Sequence, residues 1–471
     1  MADKLHTLTP SLQQAPHPAR LWQPLANGRV QCHLSPRECK IPEGGLGFCG
    51  VRYNQGGRLV TLNYGKSVPI TEERIESEAV YHYAPGARIL SLGNIGCMFK
   101  CDFCQNWQTS QARLVREQDI ARYTPEQVVD YAVRHGIGIL SWTYNDPVVW
   151  HEFVMDTARL GRQAGLKNLY KSAFSIGPGA IDELLEVMDI FSISLKSMDA
   201  GYYRKFARGE LQPVLDGILQ VYRARSDGDG PHLEISNLCL TGRNDNLIEA
   251  RRVCDWMLDK LDDRIPLHYV RFHPDYLYTH VERTDVNFLE AARRQALDAG
   301  VKFVYLGNTG GTTSVDTYCP QCGQTVIRRS GETLEMHLDG SRCGHCGCDL
   351  PIVNSSWADR TSSTSGKVMR SLTHVFRGAI GAAHIEQPTE SPIRYVFLDV
   401  EGEEIGRGQS SCLRFLVSRP SVRVAALRID LEADTDVRVL EVFDRAHFPT
   451  AAAAQSQTGS CDVPPALIIP R

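Results

Sequence analysis

From Ala87 onward the hydrophobic positions switch repeatedly between two periods. Short apolar runs, ARILSL, GILSWTYN, NLYKSAF, IFSISLK, HLEISNLCL, LHYVRFH and VKFVYLGN, read as buried strands. Between them lie TPEQVVDYAVRHG, PVVWHEFVMDTARLGRQAG, PGAIDELLEVM, LQPVLDGILQVYRAR, NLIEARRVCDWMLDKL and VNFLEAARRQALDAG, whose apolar residues fall at helical spacing. The first of these carries Thr124 as an N-cap with Gln127 three residues on, and others open on Pro or close on Gly. Alternation of this kind over about 220 residues predicts an α/β fold, a parallel sheet wrapped by helices and either open or closed into a barrel. Chemistry in such folds belongs to the loops at the C-terminal ends of the strands.

The flanks read differently. Residues 1–30 hold several prolines and little periodicity, and are expected to be a weakly ordered lead-in to a turn-rich, Cys-containing lid region spanning 1–86. The α/β core is expected over 87–312, a compact Cys-rich module over 313–354 and a polar Ser/Thr-rich linker over 355–366. Short β-like runs such as IRYVFLDV, LRFLVS and VRVAALRIDL predict a small β-rich C-terminal domain in 367–471, ending in a flexible tail.

With 471 residues, 42% hydrophobic and 23% charged, the chain is an ordinary globular composition with room for more than one core. The formal net charge of −4 argues against a broad nucleic-acid-binding face. No run of about 18 apolar residues predicts a membrane span, and MADKLHTLTPSLQQAPHP lacks the apolar segment of a secretory signal, so the cytoplasm is the expected compartment. The 15 cysteines are clustered, which points to metal binding rather than a disulfide framework.

The central cluster is CMFKCDFCQNW, which puts Cys97, Cys101 and Cys104 on one loop after a buried strand. Three thiolates can hold three irons of a 4Fe–4S cubane and leave the fourth open. The open iron can bind the amino and carboxylate groups of S-adenosylmethionine (SAM), whose sulfonium C–S bond the cluster then cleaves reductively. Zinc with a remote fourth ligand would fit the same spacing. Phe103 stands between the last two cysteines, either beside an adenine or in local packing.

The chain resembles the radical SAM superfamily, and in detail the AmmeMemoRadiSam-system radical SAM enzymes, relatives of pyruvate formate-lyase activating enzymes. The resemblance rests on CHLSPRECKIPEGGLGFCGVRYN, YHYAPGARILSLGNIGC, FCQNWQTSQ, TYNDP, LQPVL, RFHPDY, YLGN and YCPQCG…RRSG…CGHCG, in family order over about two-thirds of the chain. It implies a partial TIM barrel and assigns Thr143, Asn145 and Asp146, with Tyr144 and Pro147, to the loop that meets the SAM amino group; Asp146 stands where the family usually has Glu. A turn capping the next helix is the other reading of that loop. Ser172, Ala173 and Phe174 replace a usual Thr-Asn-Gly, and Ser194, Leu195 and Lys196 replace Asp-Leu-Lys, which implies altered ribose or substrate contacts at Ser172 and Ser194. Lys196 remains a catalytic candidate. Lys171 is read as a strand-end lysine in solvent.

Asn237 is a SAM contact by family position. Cys239 is a hydrogen donor to a radical or a buried structural thiol. His273, in RFHPDY, is a substrate acid/base or carboxylate binder, or a His held in a Pro turn. Cys319, Cys322, Cys343 and Cys346 form two C-x2-C knuckles, which read as a zinc ribbon, with rubredoxin-like iron as the alternative. Cys32, Cys39 and Cys49 form a third group that is either an auxiliary metal site, with His33, or three semi-buried thiols. The expected enzyme draws electrons from a reductant such as flavodoxin or ferredoxin and abstracts hydrogen from a protein glycyl site, a peptide or a small molecule. The alternative is a non-catalytic iron–sulfur and zinc scaffold that docks a partner.

Overall fold

The computed structural model describes residues 4–225, 230–309, 313–330 and 333–357, together with seven strands between residues 369 and 442. The chain divides into two compact units, Met1–Ser363 and Thr364–Arg471.

The first unit is organised by an eight-stranded sheet. Its strands are Thr71–Arg74 (β1), Arg88–Gly93 (β2), Ile139–Thr143 (β3), Lys167–Ser172 (β4), Ile190–Ser194 (β5), His232–Cys239 (β6), Leu267–Arg271 (β7) and Val304–Gly307 (β8). They lie in chain order across the sheet. β2 to β8 are parallel, β1 runs antiparallel to β2, and β1 and β8 are the two edges, so the sheet is open. Pro125–Arg134 (α1), His151–Gln163 (α2), Pro178–Leu185 (α3), Gln212–Arg223 (α4), Leu247–Lys260 (α5) and Val286–Ala299 (α6) are the connecting helices. The Thr124–Gln127 capping box starts α1: the Gln127 N–H donates to Thr124 Oγ1 at 3.3 Å and the Thr124 N–H to Gln127 Oε1 at 2.9 Å. The βα alternation and the parallel sheet are those expected from the sequence. β1 comes from the region expected to be a lid and completes the sheet instead.

The outer face of the sheet packs on the helices through Trp142, Tyr170, Phe191, Ile235 and Tyr269, all buried in one apolar core. The inner face encloses a lumen. Its floor is apolar: Ile89, Ile139, Leu169 and Ile190 meet Ile75, Val80 and Ala84 from the segment that leads into β2. The next level is polar, and its parts come from distant stretches of chain. Glu78 accepts hydrogen bonds from Ser141 Oγ at 3.2 Å and Thr143 Oγ1 at 2.8 Å. Glu234, fully buried, accepts from the N–H groups of Tyr81 and His82, both at 2.8 Å, and pairs with His232 at 2.8 Å and His268 at 2.6 Å. Burial pushes the Glu234 carboxyl up, but the bonds from both histidines more than reverse this and hold it well below the usual carboxylate range.

The Cys-rich module closes the floor from below. Val326, Ile327, Cys319 and Cys343 pack with Tyr81, Phe303 and Tyr305. Arg329 donates to Tyr81 O, Val315 O and Thr317 Oγ1 at 2.9 Å each, and its guanidinium lies 4.3 Å from the Tyr81 ring. Two expectations for the flanks are corrected. Residues 4–30 are anchored by burial in the main core of Leu12, on the short helix Pro10–Gln13, and of Leu8, at the end of the turn Leu5–Thr7. Trp357, placed in the linker, packs beside Gly138, where an added Cβ would come within 2.7 Å of its indole nitrogen. Residues 358–368, which make up the rest of that linker, and the expected flexible tail beyond 442 lie outside the described residues.

The second unit is β-rich, as expected. Met369–Val375, Ile393–Leu398, Glu404–Ser410 and Ala426–Glu432 form a four-stranded antiparallel sheet. Ala382–Glu386, Arg414–Ser418 and Arg438–Val442 form a three-stranded one.

Candidate active site

The loop after β2 carries the three central cysteines at the C-terminal end of the first parallel strand. Gly96 turns the chain into this loop with φ +90°, a left-handed conformation favoured by glycine, and a Cβ there would meet Val51 at 2.9 Å. The loop is anchored on its far side by Tyr203–Ala207: the Lys100 N–H donates to Ala207 O and the Asp102 N–H to Phe206 O, both at 3.1 Å. Gly209 lets the two segments touch, since a Cβ there would lie 2.1 Å from Phe99 Cε1.

Cys97, Cys101 and Cys104 are all free thiols, with Cys101 buried and the other two half-buried. Burial pushes the Cys97 thiol well up and Cys101 up to about 12, so the protein alone does not hold these groups as thiolates. Hydrogen-bond donors already point at sulfur: the Phe99 N–H to Cys97 at 3.3 Å, and Ser110 Oγ lies 3.4 Å from Cys104. Lys196 Nζ sits 5.8 Å from the Phe103 ring and 6.0 Å from Phe99, and its charge favours the thiolates of Cys101 and Cys104. Among the described residues the one group whose ligand atoms close to within 4.8 Å of one another is Cys319, Cys322, Cys343 and Cys346. The cluster-loop sulfurs are not drawn to such single-ion distances, and a cubane, which binds each cysteine at a different iron, does not require them to be.

The Thr143–Pro147 loop lies beside the cluster loop and is internally bonded. The Thr143 hydroxyl is engaged by Glu78. Asn145 donates to Asn94 O and accepts from Thr109 Oγ1 at 3.2 Å, latching the end of β2 to the turn after the cysteines. Asp146 caps the turn Pro147–Trp150: Oδ1 accepts from Ser172 Oγ at 2.8 Å and from the Val148 N–H at 3.3 Å. Oδ2 accepts only from the Ala173 N–H, at 2.8 Å, which leaves one acceptor direction open. Burial raises the Asp146 carboxyl despite these bonds.

Other candidates fall in different places. Ser194 lines the lumen, with its Oγ 3.1 Å from Ser236 Oγ. Asn237 donates to Leu195 O at 2.7 Å and so ties two strand ends together. Cys239 is corrected from hydrogen donor to core thiol. Strand alternation sends Glu234 and Ser236 into the lumen, whereas Cys239 is buried in the apolar core on the other face. Phe103 is buried among Tyr202 and Tyr278, with ring centroids at 6.0 and 6.4 Å. His273 is exposed beyond the end of β7 and has no hydrogen-bond partner among the described residues.

Lys171 is not the solvent-facing lysine the sequence implied. It is half-buried in the lumen, donating to Ser192 Oγ and Ser236 Oγ at 3.0 Å each, because period-2 alternation along β4 turns it inward. Burial brings its ammonium down to about 8. Glu78, in the turn Ile75–Glu78, is a lumen residue that sequence reading did not single out; for Lys171, read as a cation at that face and more often solvated, the signal was a charged residue alternating with apolar ones inside a buried strand.

The two C-x2-C knuckles meet. Cys319 Sγ is 3.6 Å from Cys346 Sγ, and Cys322 Sγ is 3.8 Å from Cys343 Sγ. Four thiolates at the corners of a tetrahedron with metal–sulfur bonds of about 2.3 Å are about 3.8 Å apart, so the site suits one ion, zinc or iron. Burial opposes the Cys319 thiolate, but N–H donors from Cys322 and Gln321 bring the thiol down to about 7. Cys32, Cys39 and Cys49 line one narrow cavity with Ser35, and burial pushes Cys49 up to about 11; their sulfurs do not form a single-ion set.

A family model described as the radical SAM superfamily matches residues 94–257, which span the cluster loop and β3 to β6. The chain is 34% identical over 338 residues to the uncharacterized protein MJ0808 of Methanocaldococcus jannaschii, covering 71% of this chain and 99% of that protein. Among solved structures, a domain of a pyruvate-formate lyase-activating enzyme from Bacteroides vulgatus is 19% identical, with 36% of this chain and 98% of that chain covered and a TM-score of 0.31. A radical SAM methyltransferase from Sphaerobacter thermophilus is 15% identical, with 51% and 71% covered and a TM-score of 0.38. No helix among the described residues is long and apolar enough to cross a membrane. Since the matched segment opens just ahead of the three thiols and the archaeal relative is covered almost end to end, this chain belongs to the radical SAM superfamily, and membership implies SAM cleavage through an iron–sulfur cluster.

Proposed function

We propose that this protein is a radical SAM enzyme of the AmmeMemoRadiSam type that abstracts hydrogen from a protein glycyl site, a peptide or a small molecule held at the barrel mouth. One observation carries the reading: three free thiols, one buried and two half-buried, lie on the single loop at the C-terminal end of the first parallel strand, with donors already aimed at sulfur. Cys97, Cys101 and Cys104 would hold the 4Fe–4S cluster, which when bound supplies the electron that cleaves SAM to a 5′-deoxyadenosyl radical.

The remaining work belongs to the chain's own residues. Asp146 offers its open Oδ2 direction to an ammonium group, the contact its loop position implies. Lys196 balances the thiolate charge from beside the loop. Ser194, Ser236 and Lys171 line the lumen, where a substrate would lie, and the apolar floor with the Cys-rich module below it excludes water from that side. His273, exposed beyond the end of β7, would meet a substrate carboxylate, and Cys319, Cys322, Cys343 and Cys346 would hold zinc. The scaffold alternative is not favoured, because the cluster thiols and the Asp146 acceptor are all retained.

The test is anaerobic. Reconstituted protein given SAM and dithionite should show the electron paramagnetic resonance signal of a reduced 4Fe–4S cluster and release 5′-deoxyadenosine and methionine. A colourless protein that binds only zinc, or a full cluster that never cleaves SAM with glycyl, peptide or small-molecule candidates present, would defeat the proposal.

A further inference from the structure

Beside the cluster loop lies a cavity whose surroundings are opposite in charge to the chain as a whole. It has a volume of about 220 Å³ and is lined by Arg37, Arg204, Arg208 and Glu210 among others. These arginines are coupled to the cluster cysteines through short links. Arg37 Nε donates to Met98 O at 3.2 Å, one residue from Cys97. Arg204 lies within, and Arg208 directly follows, the Tyr203–Ala207 segment whose carbonyls receive the Lys100 and Asp102 N–H groups. Arg204, Lys205 and Arg208 are exposed, while Lys100 and Arg37 are half-buried. Against these five cations stand Glu210 and Asp102, the latter 3.6 Å from Arg208 in an exposed and therefore weak pair. The chain as a whole carries a formal charge of −4, so this excess is a property of the place, not of the composition. Arg37 also stacks 3.6 Å from the Phe48 ring, and its Nη2 is buried with no hydrogen-bond partner.

We propose that this face docks a small electron-carrier protein whose redox centre is ringed by carboxylates. The inference rests on the radical SAM reading above and names the partner that reading requires. An electron has to reach the cluster from outside the chain. A cationic surface one or two residues from the ligating cysteines steers an acidic carrier to the shortest approach. The exchange is one electron: the carrier is oxidised by one, the cluster is reduced by one, and no bond forms or breaks at the interface. Carboxylates of the carrier would pair with the exposed guanidinium groups of Arg204 and Arg208.

The experiment uses full-length reconstituted protein and two probes, an oxidised flavodoxin and a 2Fe–2S ferredoxin, each fluorescently labelled. Anisotropy titration requires no turnover. At least one carrier should bind at 50 mM salt, with Kd rising about tenfold or more in Arg204→Glu/Arg208→Glu and likewise for the unaltered protein at 500 mM salt. Arg204→Lys/Arg208→Lys should restore binding. Formation of 5′-deoxyadenosine driven by the reduced carrier should fall by a similar factor in the charge-reversed variant, while the dithionite-driven rate stays unchanged. Binding indifferent to both charge reversal and salt overturns the proposal. So does a face that neither carrier occupies, including one that takes inorganic phosphate alone. Absence of 5′-deoxyadenosine with dithionite would instead defeat the enzymatic reading, and anisotropy would still decide the docking.

Discussion

Replacing Glu234 with alanine is expected to unseat the floor of the lumen. The carboxylate is fully buried and accepts four hydrogen bonds, from the Tyr81 and His82 N–H groups at 2.8 Å, from His232 at 2.8 Å and from His268 at 2.6 Å. Alanine leaves two main-chain donors and two imidazoles facing no acceptor. A stranded buried donor costs about 1–3 kcal/mol, and breaking a buried pair by removing one partner costs about 3–5 kcal/mol. Since these estimates overlap, about 4 kcal/mol is expected for the whole change. Unfolding entropy of about 2 cal/mol/K per residue, taken over the first unit, converts this to a fall in Tm of about 5–6 °C. The six tryptophans, at 22, 107, 142, 150, 256 and 357, all lie in that unit, so tryptophan fluorescence during heating reports it alone. Glu234→Gln keeps the shape and an acceptor oxygen for the main chain, and should lose about half as much. An alanine variant melting within about 1 °C of the parent would show that the network does not hold Tyr81 and His82 under the barrel, and the account of the floor would be wrong.

Three further outcomes are expected. Cys97→Ala should abolish the broad absorbance near 400 nm typical of iron–sulfur proteins while keeping one metal ion per chain; Cys343→Ala should do the reverse and lower the tryptophan-reported Tm, because its knuckle packs on Tyr81 and Tyr305. Metal analysis beside the spectra separates the two. Acid should weaken the first unit: burial brings His82 down to about 3, so the unfolded chain, with His near 6.5, binds the extra proton as pH falls. That stability is complete above about pH 6.5, and about 2 kcal/mol of it is lost by pH 5; Glu234, depressed in the same sense, adds loss below about pH 4.5. His82→Phe should flatten the fall in Tm between pH 7 and 5, and an equally steep fall would count against the assignment. Gly209→Ala drives a Cβ to within 2.1 Å of Phe99 Cε1, and is expected to cost about 1–3 kcal/mol and to lower iron incorporation on reconstitution. Full iron content would refute the close approach.

The sequence by itself determined the elements and the donor sets. Strand and helix periods, caps and the order of βα units are local properties, and the Thr124 cap and the parallel order of β2 to β8 follow from them. Cysteine spacing is equally local: three thiols on one turn, and two knuckles each closed by a short tight loop. What only tertiary structure decided is which side chains share the lumen. Glu78 and Thr143 are 65 residues apart, and Lys171 and Ser236 are also 65 apart, so no window of sequence contains either pair. Lys171 read as a solvated strand end because a charged residue at a strand terminus is most often solvated; alternation along β4 turned it inward, onto Ser192 and Ser236. Asp146 read as a ligand to a bound molecule or as the cap of the turn that follows; it makes the cap, and only the fold showed its other partners, Ser172 on the same oxygen and Ala173 on the second. The arginine face was invisible for the same reason. Arg37 and Arg208 lie far apart along an acidic chain, and only the seating of Tyr203–Ala207 on the cluster loop gathers their charge in one place. Periodicity fixes what a segment can become, whereas burial and charge are fixed by what the rest of the chain brings beside it.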